Sequence, residues 1–440
     1  MKNSMFEKVL ILQGYSIGEA DKEINHIQSL DLPDFQKWQN EKKWDIVNYH
    51  YENNNFYKSK ITGSLPSKWQ KLPIMEKLDY QNEISYLLST GYDESSVYIS
   101  NTSGSSGHPF FFAKDKFAHS MSWGLIKSRY REYDIKLNSR QARFFGIPLE
   151  TSGWLKEKIK DILLNRVRFP IFDMSQHNIQ RFIDIFKKDN FLYVYGYVNS
   201  LVLFSKELIK MNLRLKDICP TLKYCITTSE MLTDLDRKII NEAFELPIIN
   251  EYGVSEVGGI VAIENFDGNL RINKETQFIE VVNDNGKNVE AGEEGSILIT
   301  DLYNKAMPFI RYKVGDIGII KKNISPDGYQ FLEKLSGRTN DNIKLPSGVT
   351  SPGLTFYYVS RSILESSGVL KEFIIRQVSI DSFIFDVVSD EEISDEDIND
   401  IRKKMDNYLE PGLNLKINRV HSIKRPASGK LKHFYSEIGD

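Results

Sequence analysis

Thr102-Ser103-Gly104-Ser105-Ser106-Gly107-His108-Pro109 follows directly on the short apolar run Val97-Tyr98-Ile99, which has the composition of a strand. Small residues and hydroxyls placed there read as a phosphate cradle. Glycines let the backbone bend inward and present its N–H groups, Thr and Ser hydroxyls add donors, and the apolar-periodic segment from Asp115 offers a helix just beyond. The Walker pattern is not met, because it needs Lys-Ser/Thr after the last Gly. Taken alone, the loop also reads as a flexible Ser/Gly connector.

Downstream, four more short motifs follow in one order: Glu251-Tyr252-Gly253-Val254-Ser255-Glu256, Arg311-Tyr312-Lys313-Val314-Gly315-Asp316, Gly337-Arg338-Thr339-Asn340-Asp341 and Arg425-Pro426-Ala427-Ser428-Gly429-Lys430. With the Ser/Thr/Gly loop, this series resembles the adenylate-forming (acyl-AMP-forming) ligase superfamily. Within it, the chain is most similar to the phenylacetate-CoA ligase family and its capsular-polysaccharide-biosynthesis branch. Leu72-Pro73-Ile74 before Lys77, Asn165-Arg166 through Phe172-Asp173-Met174-Ser175, Tyr195-Gly196-Tyr197 before Asn199-Ser200, and Met307-Pro308-Phe309-Ile310 before Arg311 support the narrower match. The resemblance runs over essentially the whole chain.

Composition sets the outer bounds. A chain of 440 residues that is 41% hydrophobic can bury at least one large core and divides naturally into a big and a small domain. Lys+Arg 57 against Asp+Glu 60 leaves a net charge of -3, so no basic field argues for nucleic acid or an anionic membrane. The apolar Val9-Leu10-Ile11-Leu12 is too short for a signal segment or a bilayer span, which predicts a soluble, cytoplasmic protein without membrane insertion. Cys219 and Cys225 are the only cysteines; both are expected to be buried packing residues in a reducing compartment, with no zinc-ligand spacing.

Along the chain, Trp44, Val47 and Tyr51 stand at helical spacing in an aromatic, charged first hundred residues. From Val97, short apolar runs (Leu192-Tyr193-Val194-Tyr195, Tyr224-Cys225-Ile226, Ile248-Ile249) alternate with longer periodic ones, which predicts an α/β core. Phe278 to Val282, Ser296 to Thr300 and Gly318 to Ile320, punctuated by Asp284-Asn285-Gly286 and Pro326-Asp327-Gly328, predict β-hairpins of a β-rich subdomain. After Gly337, Lys371 to Val378 and Phe383 to Val388 alternate like strands; Ile398, Ile401, Met405 and Leu409 share a helical face behind Ser394-Asp395-Glu396-Asp397; and Leu415-Lys416-Ile417 adds a strand. The acidic run Asp390 to Asp400 reads as a solvated face and helix start, not a metal site. The expected architecture is a large N-terminal adenylate-forming domain, residues 1–336, with a β-rich subdomain, and a small mobile α+β C-terminal lid domain, residues 337–440.

The resemblance assigns roles. A ligase of this kind adenylates a carboxylic acid with ATP, so it needs positioning and cations around a phosphoryl group that gains negative charge. Thr102, Ser103, Gly104, Ser105, Ser106 and Gly107 would give donors to ATP oxygens. The superfamily often carries Lys just past the Pro of this loop, where this chain has Phe110, so other cations must carry more. Glu256 is the implied Mg²⁺ ligand, Tyr252 the ring against adenine, Ser255 a phosphate contact, and Glu251 and Gly253 belong to the same nucleotide-binding motif. Ser229 and Glu230 fall where the family has a turn beside adenine, with Ser229 a substitution within it. Asp316 is implied as acceptor of the ribose hydroxyls, Arg338 as the arginine reaching ribose or phosphate, and Lys430 as the cation bridging acid and α-phosphate. Asn340 occupies the hinge about which the small domain would swing between half-reactions, in place of the usual Asp, and the chain after Gly348 reaches Pro352 one residue sooner than the common pattern.

Phe144, Phe145, Tyr195, Tyr197, Gly258, Gly259 and Ile260 fall at places that line the acyl pocket in the resembled family, although core packing accounts for aromatics equally well. The resemblance thus implies ATP, Mg²⁺ and a small carboxylic acid, with coenzyme A as the expected acceptor and an amine, giving an amide for surface polysaccharide, as the alternative. A homodimer is left open. A non-catalytic nucleotide-binding protein is a third reading, weakened by the joint presence of Glu256, Asp316, Arg338 and Lys430.

Overall fold

The structure is a computed structural model. It describes residues 4–101, 111–146, 151–171, 174–336, 342–352, 355–356, 359, 370–389, 391–423 and 434–438. The chain forms two compact units. The first comprises Met1–Thr102, Phe110–Leu137 and Glu251–Gly337; the described part of the second comes from Asn138–Asn250 and Arg338–Asp440.

In the first unit the strand Tyr98–Asn101 pairs antiparallel with Phe111–Lys114, and Asp115 then caps the helix Lys116–Arg131 by accepting from the N–H groups of Phe117 and Ala118. That cap stops the strand and starts the helix within one residue. Strands Gln277–Val282, Glu294–Asp301, Tyr312–Ile320, Phe331–Ser336, Leu270–Ile272 and Gly259–Glu264 are neighbours in that order, all antiparallel, as the hairpin signals predict. Their inward faces bury Ile279, Val281, Ile297, Ile299, Tyr312 and Val314 with Met75 and Phe309. The helix Leu32–Asn53 buries Val47 fully, with Trp44 packed at the edge of the same cluster.

In the second unit Arg166–Phe169, Gln141–Phe144, Tyr193–Tyr197 and Tyr224–Thr228 lie side by side and parallel. Helices Gln176–Lys188 and Val198–Lys210 supply Phe182, Phe186 and Phe204, which pack with Phe144 and Phe169 in one aromatic core. Phe144 and Phe169 stack 4.9 Å apart at 4°. Gly196 is glycine because a Cβ there would lie 2.7 Å from the Cβ of Phe144. Cys219 and Cys225 are both buried and unbridged.

The later residues of this unit form a four-stranded sheet, in order Asn414–Arg419, Ser382–Ser389, Leu370–Ser379, Phe434–Ser436. The helix Asp395–Tyr408, capped by Ser394, buries Ile401, Met405 and Tyr408. The β-β-α-β pattern expected from sequence is present, with Phe434–Ser436 as a further strand parallel to Leu370–Ser379. The fold is the mixed α/β class expected, with the last residues forming a small α+β element.

Candidate active site

The strand Ile248–Val254 ends in a tight turn, Ser255–Val257, and the chain returns as Gly259–Glu264, antiparallel, with Glu251 opposite Ile263. Gly258 and Gly259 both have positive φ, 97° and 91°. A Cβ on Gly258 would lie 2.7 Å from Nε2 of Gln277, which donates to the Val257 carbonyl. Turn geometry therefore demands these glycines, whatever else they line. Ile260, just after them, is buried.

Residues of the turn's first strand are fixed from both sides. Glu251 is buried and accepts a 2.7 Å bond from the Tyr130 hydroxyl. Tyr252 is buried, and its hydroxyl donates to Oδ2 of Asp316 at 2.8 Å. The expected adenine-side ring and the expected ribose-binding acid are thus joined directly.

Glu256 is only 4% exposed. Its Oε1 accepts from the Tyr312 hydroxyl at 2.9 Å and has Lys77 Nζ at 3.9 Å; Ser255 Oγ stands 3.3 Å from Oε2. Lys114, itself buried, donates a 2.7 Å bond to the Ser255 carbonyl. Burial lowers the Lys114 pKa to about 8, and the nearby carboxylates of Asp301 and Glu256 oppose that shift. Two lysines therefore attend the turn of an acid expected to meet phosphates.

The motif Arg311 to Asp316 divides its labour. Arg311 is 1% exposed, sits at φ 47° and pairs with Glu280 through Nε and Nη2 at 3.2 Å each. It also donates to the carbonyls of Gln70, Leu72 and Gly286. This is a core ion pair that ties the segment Trp69 to Leu72 to the sheet, while Tyr312 and Asp316 meet Glu256 and Tyr252.

In the second unit Ser229 has φ 68° and Glu230 is buried. The Glu230 carboxylate accepts from the backbone N–H of Asn199 at 2.8 Å, at the start of the helix Val198–Lys210, with Asn199 Nδ2 at 3.3 Å. Burial raises its pKa to about 7, against the lowering effect of the Asn199 bonds. Phe145 stacks on Tyr195 at 5.3 Å and 6° and touches Tyr197 at 4.1 Å, so these three expected pocket residues form one aromatic cluster.

Thr102, Ser103, Gly104, Ser105, Ser106, Gly107, Arg338, Asn340 and Lys430 lie outside the described residues. Sequence reasoning did not single out Lys114 or Tyr312 as site residues, and named Lys77 only as part of the resemblance. The signal for Lys114 was the missing cation at Phe110, five positions ahead of the N-cap Asp115.

No protein-family model matches the chain. It is 23% identical over 430 residues to Protein CapK of Staphylococcus aureus, covering 92% of this chain and 90% of that one. It is 29% identical over 128 residues to phenylacetate-coenzyme A ligase of Thermus thermophilus, 28% of each chain. A crystal structure of 2-hydroxyisobutyryl-CoA ligase with 2-HIB-AMP and CoA, in the thioesterification state, has the same fold: TM-score 0.60 at 15% identity, covering 94% of this chain and 91% of that one. Among the described residues no helix is long and apolar enough to cross a membrane. Likeness to CapK along nearly the whole length, the local likeness to a CoA ligase and the shared fold all agree with the resemblance that the motif series carries.

Proposed function

We infer that this enzyme joins a small carboxylic acid to AMP, releasing pyrophosphate, and then passes the acyl group to the thiol of coenzyme A. The observation that carries the reading is the turn after Ile248–Val254. It sets buried Glu256 against Tyr312 and Lys77, and Lys114 against Ser255, while Tyr252 is bonded to Asp316. In adenylation a carboxylate oxygen attacks the α-phosphorus, the bond to pyrophosphate breaks, and charge grows on the phosphoryl oxygens. Lys77 and Lys114 bring positive charge to the Ser255–Glu256 turn, and the motif resemblance implies further donors from residues 102–107, Arg338 and Lys430. Asp316 accepts the ribose hydroxyls, and its bond from Tyr252 fixes both groups before the nucleotide arrives.

Glu256 suits Mg²⁺. It is a hard oxygen ligand whose two oxygens each take one hydroxyl contact, from Tyr312 and from Ser255, leaving further lone pairs. A bound Mg²⁺ would neutralise phosphate charge. The small domain, residues 337–440, would close Lys430 on the acid and swing about Asn340 for the second step.

The shared fold with a CoA ligase solved with CoA supports the thiol acceptor. A second reading, an amine acceptor giving an amide in surface polysaccharide biosynthesis, is favoured by likeness that runs the length of CapK but covers only 28% of the phenylacetate-coenzyme A ligase. The deciding experiment is acid-dependent ATP–pyrophosphate exchange over a panel of aryl, fatty, hydroxy, amino and dicarboxylic acids, followed by CoA or amine addition to the best. Exchange with at least one acid is expected. A folded protein that binds ATP and exchanges with none sinks the reading, and product formation with amines alone would replace the first acceptor by the second.

A further inference from the structure

Side chains alternate between the two faces of the parallel strands in the second unit. Phe144, Phe169 and Val194 enter the helix-covered core, which leaves Arg143, Arg166, Arg168 and Tyr195 on the opposite face, and Phe145, stacked on Tyr195, and Tyr197 are buried at the edge of that core. That face gathers three guanidinium groups, while the helix Thr151–Leu163 brings two carboxylates, Glu157 and Asp161. Arg166 and Arg168 use both: Arg166 pairs with Asp161 and Glu157, and Arg168 lies 2.7 Å from Glu157 and 2.9 Å from Asp161. Arg143 has no carboxylate partner among the described residues, and its Nε is shut off from solvent with no hydrogen-bond partner.

The Arg143 guanidinium instead lies 3.9 Å from the Phe145 ring centre and 4.9 Å from that of Tyr195. Phe145 and Tyr195 are themselves stacked, so the guanidinium meets two rings of one aromatic cluster. Crowding of positive charge is felt next door, where burial and the charges of Arg143 and Arg168 bring the Arg166 pKa down to about 10 despite Asp161. A buried charged donor left unmade is costly, and an Arg fork is matched by a carboxylate that takes two parallel bonds.

We propose that Arg143 anchors a second, non-reacting anionic group of the acid, so that the substrates are acids with two anionic groups, of which a dicarboxylic acid is the simplest. The inference rests on the reading that Phe145, Tyr195 and Tyr197 line the acyl pocket. A neutral tail of equal length would leave the fork unpaired, which is the kind of mismatch that discriminates strongly.

The test uses the full chain and a series of dicarboxylic acids, aliphatic of four to eight carbons and the three benzenedicarboxylic acids, each beside its monomethyl ester. Calorimetry without ATP reads binding directly. At least one diacid is expected to bind wild type about 10²-fold more tightly than its ester. In Arg143→Met that ratio should fall to within about threefold, and Arg143→Lys, a point charge without the fork, should lie between. Esters that bind as well as every diacid, or an undiminished ratio in Arg143→Met, overturn the proposal. The wild-type comparison needs no variant, so it decides even if Arg143→Met does not fold. ATP–pyrophosphate exchange with the tightest diacid separates the two readings. A bound diacid that supports no exchange counts against adenylation and leaves the anion site standing, whereas exchange driven by monoesters alone removes Arg143 from substrate recognition.

Discussion

The Tyr252 hydroxyl donates a 2.8 Å hydrogen bond to Oδ2 of Asp316. Two motifs that sequence places 64 residues apart therefore act as one element. An acid held by a phenol is oriented before its ligand arrives, and part of the ordering cost is met by folding. Asp316→Ala should weaken ATP and AMP alike by about 10–100-fold, since both carry the ribose. Tyr252→Phe, which keeps the ring and removes the bond, should cost about 3–10-fold for both nucleotides. Calorimetric titration with each nucleotide checks the pair. An Asp316→Ala variant that loses ATP but keeps AMP affinity would remove the ribose assignment.

Glu256 should behave differently. Glu256→Gln keeps the contacts from Tyr312 and Ser255 within reach but removes the charge that suits a divalent cation. Affinity for Mg²⁺–ATP is expected to fall by about 10²-fold while AMP binding changes little. Equal losses for both nucleotides would place Glu256 in packing instead.

The Lys114 pKa near 8 gives a pH signature. Below that value the ammonium is charged beside Ser255 and Glu256; above it the charge is gone. Adenylation should therefore decline on the alkaline side with a midpoint near 8 in wild type. Lys114→Arg, which holds its proton to much higher pH, should show no such limb. Steady-state exchange rates from pH 6 to about 10 measure it, and an identical limb in the arginine variant would assign the titration to another group.

Glu230 offers a stability test. Its folded pKa, about 7, stands above the ordinary value of 4.5. A raised pKa means that the folded state holds the proton more tightly, so the contribution is complete below pH 4.5 and is lost as pH rises through 7. Glu230→Gln keeps an oxygen for the Asn199 N–H and carries no charge. It should be more stable than wild type at pH 8 by on the order of 1–3 kcal/mol and lack the fall between pH 5 and 8. Urea unfolding at a series of pH values checks this; parallel curves for the two proteins would refute it.

Removing Arg311 strands a buried carboxylate, because Glu280 is 1% exposed and takes the two Arg311 bonds and one from Trp69. Arg311→Met is expected to cost about 3–5 kcal/mol in denaturant unfolding. Adding Glu280→Leu should recover a large part of that loss. A double variant no more stable than the single one would show that the carbonyl contacts, not the ion pair, dominate.

Lys430→Ala removes the cation that the motif series assigns to the acid and α-phosphate. Acyl-AMP formation should drop by about 10²–10³-fold with little change in ATP affinity, and acyl transfer from supplied acyl-AMP should persist. Single-turnover measurement of the two steps separates them, and near wild-type adenylation would end the assignment.

Sequence alone determined the elements whose causes are local. Asp115 and Ser394 start helices because their side-chain oxygens reach the next free N–H groups, and the hydrophobic alternation gives the strands. Gly258 and Gly259 mark a turn that only residues tolerant of positive φ can make. The order of five motifs carried the resemblance to the adenylate-forming ligases. Only the tertiary structure decided how the members of those motifs are partnered. Arg311 and Asp316 share one motif, yet one is in a core ion pair with Glu280 and the other accepts from the Tyr252 hydroxyl. Glu230 reads as part of a nucleotide-side turn, and folding places it at the start of Val198–Lys210, where burial moves its pKa. Lys114 reaches Ser255 across 141 positions, and among the described residues Arg143 has no carboxylate partner because its two neighbours on the next strand take Glu157 and Asp161. Turn and cap preferences act over a few residues and can be read along the chain. Desolvation and charge pairing depend on which distant segments close on one another, and that is settled only when the chain folds.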